Sequence, residues 1–144
     1  MYFELSIDIN RPQKEVYIFL RDKDKYNQKE GSPVLLLEKT TADPVGIGTK
    51  YREIVQMLPY YKGEILSVIT RYEPYEYLEE DFSATGMNGH LAYQFIDKDG
   101  STELIQRESI FFTFPINLLN PVIKKVLHRK LLERLEEIKM ELES

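Results

Sequence analysis

Glu53 and Glu108 are the residues best placed by type and spacing to do chemistry, because each falls at an alternate position in a run of apolar side chains. A carboxyl carried into such surroundings has its charged form disfavoured, and a raised carboxyl pKa suits a general acid or base working near neutrality. Between residues 49 and 58, Tyr51, Glu53, Val55 and Met57 share one strand face, with Lys50, Arg52, Ile54 and Gln56 on the other. Between 102 and 112, Gln106 and Glu108 share a face with Leu104, Ile110 and Phe112; between 91 and 96, Leu91, Tyr93 and Phe95 alternate with Ala92 and Gln94. One concave surface built from these faces is aromatic and aliphatic with a few orienting polar groups, the make-up of a small-molecule pocket. The expected ligand contacts are Tyr51, Glu53, Val55, Met57, Tyr93, Phe95, Gln106 and Glu108. Glu53 and Glu108 are the candidate catalytic carboxyls, with tyrosine hydroxyls as their partners. The plainer alternative is packing: aromatic residues favour half-buried sheet positions, and a register slip of one residue returns both glutamates to solvent beside Arg52 and Arg107.

Other chemistries lack their residues. With no Cys there is no thiolate nucleophile, no thiolate metal site and no disulfide. His90 and His128 lie on different predicted elements without ligand-spaced companions, so no metal site is expected. Gly46-Ile47-Gly48 lacks a third glycine and leads into a strand, so it reads as a turn and not a phosphate cradle; no cofactor is expected.

The elements that must position these residues follow a clear order. Phe3, Leu5, Ile7 and Ile9 alternate with Glu4, Ser6 and Asp8, predicting a half-buried strand. Pro12 opens a helix over 12–21 with Val16, Phe19 and Leu20 at helical spacing. Residues 23–32 form a short second helix or a loop. Strands are predicted over 34–40, 49–58, 61–72, 75–84, 91–96 and 102–112, and Asp97-Lys98-Asp99-Gly100 is the strongest hairpin signal. Strands joined by short turns are antiparallel neighbours. A long helix closes the chain, with Asn120 as N-cap, Pro121 at the first position and an apolar stripe of Leu127, Leu131, Leu135, Ile138 and Leu142. This is an α+β order in one unit spanning 1–144.

Charge and composition narrow the partners. A net charge of -5 argues against binding that rests on phosphate neutralisation, so no nucleic-acid partner is expected. The N-terminus carries Glu4 and Asp8 where an export signal needs a basic segment and an apolar run; the most apolar window, 109–123, is too short to span a bilayer. A cytoplasmic protein without a transmembrane segment is expected. The acidic run of Glu73, Glu76, Glu79, Glu80 and Asp81 reads as a solvated strand face or edge. The last helix has Lys124, Lys125, His128, Arg129 and Lys130 in its first half and glutamates in its second, the reverse of what its dipole prefers. Internal ion pairs on a solvated helix are the ordinary explanation; weak contact of the basic cluster with a membrane surface is the alternative.

Pro44, Gly46 and Gly48 before Thr49-Lys50-Tyr51, Tyr72-Glu73-Pro74 at a strand end, the Gly100-Ser101-Thr102 hairpin and the long helix over 127–142 occur in an order that resembles the START-like (SRPBCC) superfamily, of polyketide cyclase/dehydrase and lipid-transport type. The resemblance implies a helix-grip fold: a curved antiparallel sheet wrapped around a long C-terminal helix, one or two short helices after the first strand, and a cavity between sheet and helix. It implies binding of a hydrophobic or amphipathic small molecule, with transport as an extension of that role. Two alternatives accompany it: a cyclase- or dehydratase-like enzyme using an inward carboxyl and a tyrosine, and a protein-interaction, co-chaperone-like unit whose pocket is closed by side chains.

Overall fold

The computed structural model describes residues 1–26, 34–58 and 61–144, with the side chains of Lys25, Tyr26, Met57, Leu58 and Tyr61 left aside. Alternation builds the first strand, β1 (Tyr2–Ile9): Phe3, Leu5 and Ile9 are buried, and Tyr2, Glu4 and Asp8 face water. Two short helices follow, α1 (Gln13–Arg21) and α2 (Lys23–Tyr26). Pro12 is the N-cap of α1, not its first residue, and Val16, Tyr17 and Leu20 are its buried face. Residues 27–32, part of the segment read as helix or loop, lie outside the described residues, as does the Pro59-Tyr60 connection.

Six further strands are β2 (Val34–Lys39), β3 (Lys50–Leu58), β4 (Tyr61–Glu73), β5 (Tyr77–Ala84), β6 (Met87–Asp97) and β7 (Thr102–Phe112). Among the described residues they form one antiparallel sheet in the order β1-β7-β6-β5-β4-β3-β2. The meander predicted from the short turns is present, and β1 joins it by pairing with β7. Tyr75, expected in β5, instead sits at φ 70 in the preceding turn, so β5 starts at Tyr77. Strand β6 starts four residues earlier than its apolar pattern, because Gly89 belongs to the ladder: a Cβ there would lie 2.3 Å from the Ser109 carbonyl oxygen and 2.4 Å from the Phe82 ring.

Register shifts interrupt β2, β3 and β4, and such bulges bend and twist a sheet. The shift between Ile69 and Arg71 also sorts side chains: Arg71 pairs with outward Glu79 and Tyr72 with inward Leu78. Tyr72 thus joins Tyr75 and Phe95 around Tyr17, with ring centroids 6.0, 5.7 and 5.1 Å away in edge-on packing.

A 3-10 turn over Ile116–Leu119 runs directly into α3 (Asn120–Glu143). This moves the cap one residue back from the expected Asn120 to Leu119, and leaves the Asn120 side-chain oxygen buried without a partner among the described residues. Of the predicted stripe, Leu135 and Ile138 are fully buried, whereas Leu127, Leu131 and Leu142 are half-buried. The grip is therefore tightest in the second half of α3. There Lys139 donates to the Asp8 carbonyl and ion-pairs with Glu143 at 2.9 Å, fastening the helix to the end of β1. The core runs from Ile9 and Leu104 through Val16, Tyr17 and Phe95 to Leu135 and Ile138.

Candidate functional site

Sheet curvature leaves a cavity of about 430 Å³ between the inner face and the middle of α3, within the size range of small-molecule sites. Its walls come from α1 (Leu20), β2 (Val34, Leu37), β5 (Leu78) and β6 (Leu91, Tyr93). Polar groups enter from α2 (Lys23), β3 (Glu53) and β5 (Glu80), and α3 contributes Lys130, Glu133, Arg134 and Glu137. Seven of the thirteen lining residues are charged, so the site is aliphatic on its walls and ionic at one side.

The inner ionic group is well ordered by its neighbours. Lys23 Nζ donates to both Glu80 carboxylate oxygens, at 3.0 and 2.9 Å, lies 3.5 Å from Ser67 Oγ, and sits 4.6 Å above the Tyr51 ring. The Lys23 and Glu80 side chains are only 17% and 14% exposed, so the pair is held largely out of water and each side chain is the other's partner. Glu53 faces the same space from β3. Burial raises its pKa, with Lys23 opposing and Glu80 reinforcing the shift. Burial likewise raises the pKa of the Tyr93 hydroxyl, which stays protonated and available as a donor.

Solved structures share this fold at low sequence identity. A START superfamily protein from Mycobacterium smegmatis superposes with a TM-score of 0.82 at 11% identity, over 99% of this chain and 97% of that one. The Zhui aromatase/cyclase from Streptomyces sp. R1128 gives 0.81 at 13%, over 99% and 93%. A protein from Thermus thermophilus gives 0.74 at 19%, over the full length of both chains. No protein-family model matches this sequence, and no curated protein matches it. The chain has the START-like, helix-grip fold.

Within this START-like fold the residues predicted for the site separate into four groups. Glu53 and Tyr93 line the cavity. Tyr51 and Phe95 are buried in the core beneath it; the Tyr51 hydroxyl donates to the Arg21 carbonyl at 3.0 Å, and Phe95 packs on Tyr17. Gln106 and Glu108 are 4% and 8% exposed on β7 and do not line the cavity. Each has one side-chain oxygen buried without a partner among the described residues. Burial, with Glu80 second, pushes the Glu108 carboxyl up to about 7. Val55 is half-buried on β3 away from the cavity lining, and the Met57 side chain lies outside the described residues.

The reading of the acidic run as a solvated face divides likewise. Glu79 and Asp81 point outward, where His90 bridges them at 2.9 and 2.6 Å and Arg71 holds Glu79 at 2.9 Å. Glu80 points inward to Lys23. Period-2 alternation through Leu78 and Glu80 was the available signal for that residue. Nothing in the local sequence marks Lys23 or Arg134, whose positions depend on how α2 and α3 pack. On the outer face of the sheet a second depression of about 440 Å³, lined by Lys50, Leu66, Val68 and Asp81 among others, lacks the desolvated carboxyl of the first.

Proposed function

We propose that the protein binds an amphipathic small molecule in the cavity between sheet and α3, its apolar body against Leu20, Leu37, Leu78 and Leu91 and its polar end toward Glu53, Tyr93 and the Lys23–Glu80 pair. The observation that carries this reading is the cavity itself, about 430 Å³ with aliphatic walls and a polar end already neutralised by an internal ion pair. A wholly apolar ligand would leave Glu53 and Tyr93 without partners, at a cost in affinity; a polar end matched to them recovers it. The fold likeness to START-like structures supports a ligand cavity at this place. Displacement of a fluorescent fatty acid by lipid-like competitors, with native mass spectrometry of the protein as purified, tests the reading. Uptake is expected for the native chain and weaker uptake for Leu91→Trp, whose indole takes up part of the cavity. Absence of uptake by the native chain, or uptake unaffected by Leu91→Trp, contradicts it.

A second reading as a cyclase- or dehydratase-like enzyme is favoured by one observation. Glu53 is a desolvated carboxyl and Tyr93 a protonated hydroxyl lining the same cavity, the two kinds of group such proton transfers require. Glu53→Gln separates the readings: turnover of a polyketide-like substrate falls by at least about a hundredfold if Glu53 moves the proton, whereas uptake changes far less, because glutamine still offers the ligand's polar end a hydrogen bond. Turnover that survives the substitution removes Glu53 from the chemistry.

A further inference from the structure

The connection from β7 to α3 exposes apolar side chains at unusual density. Phe111, Phe114, Leu118, Leu119 and Val122 are 61%, 75%, 68%, 59% and 65% exposed, all within twelve residues of chain, and neither depression described above is lined by any of them. Single exposed leucines need no explanation, but a contiguous run of large ones does. The segment is braced into place. The Thr113 N–H donates to the Gly86 carbonyl at 3.0 Å, Gly86 at φ +78 turns the β5–β6 hairpin beneath it, and Ile116 packs so close that a Cβ at Gly86 would lie 3.0 Å from its Cδ1.

Charge adds a second, independent feature. Between Glu108 and Glu133 there is no acidic residue, while Lys124, Lys125, Arg129 and Lys130 follow the apolar run, in a chain whose net charge is -5. All four are exposed. At 100° per residue along α3, Val122, Lys125 and Arg129 fall on the outward side, opposite half-buried Leu127 and Leu131. Cations in the first half of a helix oppose its dipole, so helix stability does not explain them. Arg129 reaches Glu133 at 4.0 Å across an open surface, and Lys124, Lys125 and Lys130 make no ion pair among the described residues.

We propose that this end of the molecule, the β7–α3 connection with the first turns of α3, is a docking surface for an anionic lipid bilayer. Phe and Leu side chains enter the boundary between headgroups and acyl chains, and the lysines just behind them meet the headgroup phosphates. The acidic remainder of the chain orients the molecule with this end toward a negative surface. A second copy of the chain is a poor occupant, since a symmetric contact would set basic cluster against basic cluster.

Sedimentation with vesicles of phosphatidylcholine alone, or containing phosphatidylglycerol, tests the surface. The native chain is expected to sediment with the anionic vesicles, weakly with the neutral ones, and less as salt rises. Each Lys or Arg near an anionic surface strengthens partition by about fivefold, so Lys125→Gln with Arg129→Gln lowers it about twenty-fivefold. Phe114→Ser with Leu118→Ser lowers it by more than about tenfold. Both pairs keep the native melting temperature and native fatty-acid uptake, which separates failure of the surface from failure of the cavity. Failure of the folded native chain to sediment with anionic vesicles overturns the proposal, as does partition that neither pair of substitutions weakens. A concentration-dependent dimer that Phe114→Ser with Leu118→Ser dissociates assigns the face to self-contact and overturns it too.

Discussion

At the scale of single residues, burial without a partner decides what Glu108 and Glu53 are. Both sit on the inner face that alternation predicts, yet one opens on the cavity and the other is sealed beside Phe3 and Leu91, its neighbours across the ladder. Glu108 therefore acts on stability. Its carboxyl, ordinarily near 4.5, is held at about 7 in the folded chain. Between those values the folded state keeps a proton that the unfolded state has released, so stability from this group is full below the unfolded pKa and is lost as pH rises toward 7. Glu108→Gln cannot ionise and should exceed the native chain in stability at pH 8 by up to roughly 3 kcal/mol. That advantage should collapse below about pH 5. Urea unfolding of both proteins across this range checks it, and parallel pH profiles would show that Glu108 is ionised in the fold. Tyr51 illustrates the limit of alternation differently: its inward direction was legible, but its hydroxyl is used on the Arg21 carbonyl, a bond that requires α1 to end above β3.

At the scale of elements, close approach and bulges carry most of what local pattern omits. Gly89 looks in sequence like part of a turn, and it is a strand residue because Phe82 occupies the space a side chain would need. Gly89→Ala should cost about 3 kcal/mol, since the nearest obstacle includes the Ser109 backbone carbonyl and not only a movable ring. The midpoint of urea unfolding measures it; a change under about 0.5 kcal/mol would mean that β6 and β7 separate there at little cost. The extra residue between Ile69 and Arg71 shifts every later side chain of β4 by one position, delivering Arg71 to Glu73 and Glu79 outside and Tyr72 to Tyr17 inside. Period-2 reading has no means of locating such a slip. For α3 the apolar stripe was read correctly as a face, but which part grips was decided by the sheet. Curvature brings β1 against Leu135 and Ile138 and leaves the neighbouring side around Lys130 and Arg134 over the cavity.

At the scale of the whole molecule, binding and stability are coupled. A ligand taken up only by the folded chain adds RT ln(1 + [L]/Kd), about 2.7 kcal/mol at a hundredfold excess over Kd. Thermal melting of the native chain should therefore rise with added amphipathic ligand, and that of Leu91→Trp should rise less at the same ligand concentration. A ligand-independent native melt would count against the cavity as the binding place. No described helix is long and apolar enough to cross a bilayer, and the contact proposed for the surface near Phe114 and Leu118 is with the bilayer's face. The chain by itself determined the α+β order, the antiparallel meander, the long closing helix and the inward direction of Glu53 and Tyr93. Those follow from periodicity and turn chemistry, which act over a few residues. Tertiary structure decided that Lys23 pairs with Glu80, that Glu53 opens on the cavity while Glu108 is sealed, and that Tyr17 and Tyr51 are core. These outcomes depend on sheet curvature and on where α1 and α3 come to rest, and both are set by contacts between residues far apart in sequence.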